Sequence, residues 1–319
     1  MTGPQAKMLP DGRRLHLNHG PIDLVIEAFG EAAEVREAYE QAMARFRTIL
    51  AELVEELPAL RSAATTKPRA LQGKTAQRME AAVAPLAGEN FITPMAAVAG
   101  SVADEMLAAM LAGRRLDKAY VNNGGDSALH LAPGESMRLA IAGTCKGFAD
   151  RILIRAEDTV RGVATSGWRG RSFSLGIADA VTVLARTGAA ADAAATVIAN
   201  AVDLPGHPAV RREPARMLTP DSDLGERLVT TGVDALSDLD VATALDVGLA
   251  AAQTLQRRGL IEAAALFLNG KARICGALSA AQEFGSFVRP PLRQAQADPA
   301  KRRPGEREFS KTVQEARHG

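Results

Sequence analysis

Tyr120-Val121-Asn122-Asn123-Gly124-Gly125-Asp126, Ala164-Thr165-Ser166-Gly167-Trp168-Arg169-Gly170-Arg171 and Ala191-Asp192-Ala193-Ala194-Ala195-Thr196 follow one another within residues 119–202. Around them, short runs rich in Val, Ile, Thr and Tyr alternate with Gly and Asp turns and then give way to alanine. The pattern predicts strands over 118–122, 127–131, 137–141, 151–155, 161–165 and 180–185, and a helix over 188–202. Asn123-Gly124-Gly125-Asp126 joins the first two strands as a hairpin turn, because Asn and Gly accept positive φ at little cost. The two glycines also leave room for a ligand to reach the backbone N–H groups. Asp192 and Thr196 stand four residues apart and share a helix face. Carboxylate and hydroxyl oxygens so placed suit a hard cation such as Mg²⁺, which keeps several waters of its own. A plainer account also serves: the helix dipole favours an Asp in the first turn, and Thr196 can bond back to a carbonyl. The forks of Arg169 and Arg171 match phosphate oxygens, and Trp168 can stack on a flat ring. The alternative there is a surface loop around a half-buried Trp.

Outward from this centre the chain reads as scaffold. Residues 1–12 are expected to form a flexible leader. Residues 14–28 predict two short strands about Gly20-Pro21, with His16 and His19 as solvated polar residues. From 31 to 60, Val35, Tyr39, Ala42, Phe46, Ile49, Leu53, Leu57 and Leu60 recur at three- and four-residue steps and form one stripe of a long helix, limited at its end by Pro58. Such a stripe packs on its own domain, or else serves a homodimer. A linker over 62–75 precedes a helix over 76–86. A third helix opens at Pro94, with small residues that let another backbone come close. Beyond residue 202, Leu204-Pro205-Gly206-His207-Pro208 breaks the helix. Residues 239–258 form a further helix stopped by Gly259, and Asn269-Gly270 marks a type I′ hairpin between strands 263–268 and 272–275. From Arg289 the chain holds eight Lys/Arg against four Asp/Glu, with four prolines. That composition predicts a disordered basic tail over 289–319. Residues 13–288 are then one α+β domain, with mixed or antiparallel strands packed against long helices.

Composition narrows the classes. A chain of 319 residues, 47% hydrophobic and 24% charged, can bury a sizeable core. A net charge of +1 gives no reason to expect a nucleic-acid partner. Cys145 and Cys275 lack the number for a disulfide framework and the spacing for a metal site, which fits a reducing compartment. No run reads as long enough to span a bilayer, and no apolar core follows a basic start. The expectation is a cytoplasmic protein with no membrane partner.

Taken together, the motifs resemble a family. Residues 120–126 are similar to the Leu-Val-Asn-Leu-Gly-Gly-Asp segment of ApbE-type flavin transferases, and Ala164-Thr165-Ser166-Gly167 resembles their Ala-Thr-Ser-Gly. Val181-Thr182-Val183 and residues 191–196 resemble their Val-Thr-Val strand and Ala-Asp-Ala-Leu-Ala-Thr helix start. Ala96-Ala97-Val98-Ala99-Gly100 falls where they carry Gly-Gly-Ile-Ala-Lys-Gly. Those enzymes move FMN from FAD to a threonine of a target protein, with Mg²⁺ near the pyrophosphate. The resemblance implies an ApbE-like fold and Mg²⁺ at Asp192 and Thr196, with help from the carbonyl of Ala97. It also implies FAD or another flavin nucleotide at Asn123, Gly124, Gly125 and Asp126 and at Thr165, Ser166 and Gly167, next to Trp168, Arg169 and Arg171. Two departures stand out. Gly100 replaces a lysine, and the family's insert between Thr-Ser-Gly and Val-Thr-Val, with its catalytic histidine and Asp-Pro-x-Thr-Gly turn, is missing. The chain therefore reads as a compact branch in which no residue is assigned a catalytic role. The leading expectation is a Mg²⁺-assisted enzyme acting on a flavin or related phosphorylated nucleotide. A non-catalytic flavin- or nucleotide-binding protein and a helix-mediated interaction protein are the alternatives.

Overall fold

The computed structural model describes residues 3–140 and 151–276. It begins with β1 (Gln5–Met8), β2 (Leu15–His19), β3 (Ile22–Gly30), α1 (Ala32–Glu55), α2 (Leu57–Leu60) and α3 (Lys74–Val83). Two 3₁₀ turns, Ala84–Leu86 and Pro94–Ala97, lead into α4 (Val98–Leu111). β4 (Leu116–Asn123), β5 (Asp126–Leu131), β6 (Ser136–Ala140), β7 (Arg151–Arg155), β8 (Gly162–Ser166), β9 (Ala180–Ala185) and α5 (Gly188–Ala201) form the centre. β10 (Val210–Pro214), α6 (Ala215–Leu218), β11 (Leu228–Val233), α7 (Asp238–Arg257), β12 (Ala263–Leu268) and β13 (Lys271–Cys275) complete it.

Nine strands make one sheet in the order β1-β2-β3-β4-β5-β8-β9-β12-β13, with every neighbouring pair antiparallel. Strand alternation sorts the side chains between two faces. Leu17, Leu24, Ile26, Val121 and Ala128 point to α1, α3 and α4. Ala164, Val181, Val183, Ala264 and Leu266 point to α5 and α7. On the opposite face, Leu129, Val163, Leu184, Ala265 and Phe267 meet Met137, Leu139, Ile152 and Ile154 of the β6–β7 ribbon. The predicted α+β class, antiparallel strands against long helices, is what the chain forms.

The stripe on α1 is spent inside this core. Ala38, Ala42, Phe46, Ile49 and Leu53 are all buried, and each large side chain among them contributes about 1.5–3 kcal/mol by leaving water. Most of the stripe therefore packs within the chain's own core, with Val35 and Tyr39 partly buried near its N-terminal end. The helix stops at Glu56, and α2 restarts with Pro58 in its first turn, where a missing N–H costs nothing. Glu105 then ties three helices together, accepting from Arg45 of α1 at 2.9 Å and Arg78 of α3 at 3.0 Å.

Several expectations need correction. Part of the supposed flexible leader, Gln5–Met8, is strand β1, paired in register with β2. All four side chains are exposed, so no apolar alternation announces it; its main-chain hydrogen bonds to β2 make it a strand. The break over 204–208 leads into the β10–β11 ribbon, an antiparallel pair interrupted by a bulge at Arg211/Arg212. The charged Val-Arg-Arg-Glu-Pro run of β10 concealed it. One stretch, Pro94–Leu111, is long and apolar enough by length and composition to cross a membrane, contrary to the reading of the sequence. Here it is a core helix, its small residues packed against α1, α3 and α5. The Asn269-Gly270 hairpin is as expected, with φ +46° and +74°. Cys145 and the basic tail over 289–319 lie outside the described residues.

Candidate functional site

The β4–β5 hairpin, the end of β8, the first turn of α4 and the second turn of α5 converge at one end of the sheet. Asn123 and Asp126 sit opposite each other across the hairpin, with Gly124 and Gly125 at φ +64° and +124° between them. Only residues without a side chain hold that pair of conformations cheaply. Asn123 is buried and donates Nδ2–H to the carbonyl of Ala99 at 3.1 Å, which fixes the hairpin to the start of α4. Asp126 points to the same face and accepts the Thr165 N–H through Oδ1 at 3.0 Å.

On α5, Asp192 accepts the N–H of Gly100 through Oδ2 at 3.0 Å, and the N–H of Ala99 also bonds to this carboxylate. These amides belong to the first turn of α4, where N–H groups have no partner within the helix. Asp104 of α4 answers in kind. Its Oδ1 and Oδ2 accept from Gly188 and Ala189 of α5, both at 2.8 Å. Each helix thus supplies the acid that caps the other. The approach is close enough that a Cβ on Gly100 would collide with the Gly188 carbonyl. That collision accounts for the glycine at the family's lysine position.

The electrostatics are unfavourable to charge. Burial pushes the Asp192 carboxyl well above its usual range, and the neighbouring charge of Asp126 pushes it further, against the pull of the Gly100 and Ala99 amides. Asp126 rises from 3.8 to about 6, through burial above all, with the Thr165 N–H and the Arg171 guanidinium pulling the other way. Burial also raises Asp104. Arg171, itself exposed, lies over the hairpin so closely that any Cβ on Gly124 would meet its guanidinium.

The structure therefore brings Asn123, Gly124, Asp126, Arg171, the Thr165 backbone and Asp192 into one neighbourhood. Thr196 follows one turn along α5, and buried Ala97 packs in the same cluster as Ala191, Ala194 and Ala195. Ser166 pairs with Val181, whose side chain lies on the helix-covered face, so its hydroxyl shares the face of Asp126. Other members of the predicted set part company. The Thr165 hydroxyl lies on the opposite face, bonded to the Thr182 hydroxyl at 2.9 Å, because it alternates with Ala164. Arg169 is bound to Asp179 at 2.6 Å and lies 4.5 Å over the Trp168 ring. This cation–π stack occupies both the cation and one face of the indole that were expected to take phosphate and ring. Gly167 is buried and packs against the Asp179 carbonyl, serving close packing. Sequence reasoning missed Asp104; the signal available was a lone Asp in the apolar run Val102-Ala103-Asp104 opposite another in Ala191-Asp192-Ala193.

Among the described residues no group of three or more His, Cys, Asp or Glu side chains is arranged to hold a metal. The oxygens present are two mutually repelling carboxylates, Asp126 and Asp192, and the hydroxyl of Thr196. An all-oxygen set of this kind, relieved of its repulsion by positive charge, fits a hard divalent cation that keeps water or takes ligand oxygens. A recess of about 600 Å³ lies elsewhere, between β1, β2 and α1, lined by Met8, Leu15, Val35, Tyr39 and Met43 among others.

A family model described as "AbpE bacteria" matches residues 6–274. The chain is 39% identical to the UPF0280 protein of Methanothrix thermoacetophila over 113 residues, 35% of this chain and 46% of that protein. It is 41% identical to UPF0280 protein MJ1526 of Methanocaldococcus jannaschii over 116 residues, 34% and 45% of the two chains. The UPF0280 protein of Methanoregula boonei is 33% identical over 147 residues, 44% and 60% of the two. The chain spans about half the length of the curated relatives it matches. A loose likeness to the apo crystal structure of the Pseudomonas stutzeri flavinyl transferase ApbE has 14% identity and a TM-score of 0.38, over 85% of this chain and 93% of that one.

Proposed function

The chain belongs to the ApbE-like family described as AbpE bacteria, and from that premise we propose that it is a Mg²⁺-assisted enzyme acting on a flavin or a related phosphorylated nucleotide such as FAD. The observation that carries this reading is the pair Asp126 and Asp192, drawn from a hairpin and a helix into one partly buried neighbourhood where the charge of Asp126 raises the cost of ionising Asp192. Two carboxyls raised by burial and brought together from separate elements mark a candidate site. Asp192, Thr196 and the carbonyl of Ala97 would hold Mg²⁺, with Asp126 as a second carboxylate beside it. The ion, when bound, neutralises phosphate charge. Arg171 binds the phosphate from above the Gly124 turn, and Gly124 and Gly125 let it approach the backbone. Ser166 offers its hydroxyl from the β8 side.

One observation favours a second reading, a non-catalytic flavin- or nucleotide-binding protein. The family's histidine-bearing insert is replaced by a loop in which Arg169 pairs with Asp179 and stacks on Trp168, and this loop holds no histidine for the acceptor chemistry of the transferases. Calorimetry with FAD, with and without Mg²⁺, tests the site. Asp192→Asn keeps a hydrogen-bond acceptor for α4 and removes the charge. It should weaken FAD binding at least ten-fold in Mg²⁺ and leave affinity unchanged in EDTA. Equal Mg²⁺-dependent affinity in the variant and the wild type sinks the metal assignment and moves the reading to the metal-free binder.

A further inference from the structure

Between Trp168 and Ile177 the chain crosses from the end of β8 to the far end of α5, and it is tied down at two places. At the first, the Trp168 N–H donates to the Ala178 carbonyl at 3.0 Å and Arg169 is held by Asp179. At the second, three consecutive carbonyls are captured by the β10–β11 ribbon. Ser174 O accepts the Thr230 N–H at 2.9 Å. Leu175 O accepts Arg212 Nη1 at 2.8 Å, and Gly176 O accepts the Thr230 hydroxyl at 2.8 Å. The amides of the same stretch are met as well: Leu175 N–H by Asn200 Oδ1 at 2.9 Å, and Ile177 N–H by the Val202 carbonyl at 2.8 Å. Gly176 lies so close to α5 that a Cβ there would collide with the Ala199 carbonyl. Between the two anchors Gly170, Arg171 and Ser172 are exposed, and Arg171 is the side chain that leans over Gly124.

We infer that the β10–β11 ribbon is a positioning device and that Thr230 is its positioning residue. By holding the carbonyls on both sides of Leu175, Thr230 fixes the segment that keeps Arg171 over the Gly124 turn. Thr230 is buried and touches none of the candidate ligand groups, so it acts through Arg171. The loss of freedom is the point: a long, exposed Arg gives up side-chain entropy on binding an anion, and a fixed backbone at its root lowers that loss. The ligand arm of this inference rests on the nucleotide reading above; the structural arm does not.

Thr230→Val keeps the shape and the main-chain bond but removes the hydroxyl donor, and Thr230→Ser restores it. One net hydrogen bond sets the expected size, about five-fold. Trypsin should cleave Thr230→Val after Arg171 about five-fold faster than the wild type, with cleavage elsewhere unchanged, because proteolysis follows the population of the opened segment. FAD affinity in Mg²⁺, by calorimetry, should fall by a similar factor. Thr230→Ser should return both to the wild-type level, and in an Arg171→Ala background Thr230→Val should change affinity no further. Unchanged cleavage after Arg171 overturns the anchoring. Faster cleavage with wild-type FAD affinity overturns the positioning role, as does a loss of affinity that persists without Arg171. Absence of FAD binding by the wild type refutes the nucleotide reading instead, and the cleavage rates still decide whether Thr230 holds the segment.

Discussion

Replacing Asp126 by Asn should stabilise this protein at neutral pH, which is unusual for a polar residue at a candidate site. The carboxyl of Asp126 stands at about 6 in the folded chain against an ordinary 3.8. A folded value above the unfolded one means that the group favours folding while protonated and loses that contribution as pH rises through the folded value. At about 1.4 kcal/mol per pH unit, the ionised group costs about 3 kcal/mol above pH 6 and nothing below pH 4. Asn keeps the acceptor for the Thr165 N–H as a neutral bond, the same kind that the protonated carboxyl makes. The net gain is then about 3 kcal/mol at pH 8 and falls to about zero at pH 4. Urea denaturation of both proteins in EDTA at pH 4, 6 and 8 reads this directly, with the slope m checked for constancy. A difference that does not change in size between pH 4 and 8 refutes the account of Asp126 as a buried, unfavourable charge. Repeating the series with Mg²⁺ and FAD should shrink the gain, because a cation beside two carboxylates stabilises the wild type more than the variant.

Three further outcomes are expected. Gly100→Lys, which restores the family's residue, should destabilise by more than about 3 kcal/mol, since α4 and α5 must part to admit any side chain; denaturation near the wild-type midpoint would refute the close approach. Asp104→Ala leaves the Gly188 and Ala189 amides buried without an acceptor and should cost about 2 kcal/mol, whereas a change below 0.5 kcal/mol would show that the cap carries little weight. Incubation with FAD, Mg²⁺ and an acceptor bearing the threonine target of the transferases should leave the acceptor mass unchanged, because the histidine-bearing insert is absent; a gain of one FMN would refute that.

The elements were legible where their chemistry is local. Asn269-Gly270 needs two positive φ angles and says so, and the α1 stripe repeats at helical steps because one face is buried. β1 was not legible, since an edge strand with four exposed side chains depends on the main chain of β2, which no pattern in Gln5–Met8 records. At the site, 66 positions separate Asp126 from Asp192 (192 minus 126), and only the order of motifs drew them together. What it could not give is which face a residue takes. Thr165 and Ser166 are neighbours in sequence, yet the pleat sends the first hydroxyl to Thr182 and the second toward the helices. Nor could it show that Arg169 is already spent on Asp179 and Trp168 while Arg171 leans over the Gly124 turn, because both are arginines in one loop. The exchange of acids between α4 and α5 needs both helices in place before either Asp has a reason to be there.

That exchange bears on how the sequence can drift. Loss of Asp104 leaves amides of α5 bare, and loss of Asp192 leaves those of α4 bare, so neither acid can be given up without damage to the opposite helix. Gly100 and Gly188 hold the two backbones at the distance at which the acids reach. A larger residue at either glycine would part the helices and break both caps at once. The four positions are therefore coupled: a side chain at position 100 would demand new caps for two helices, and in doing so would free Asp192 from α4.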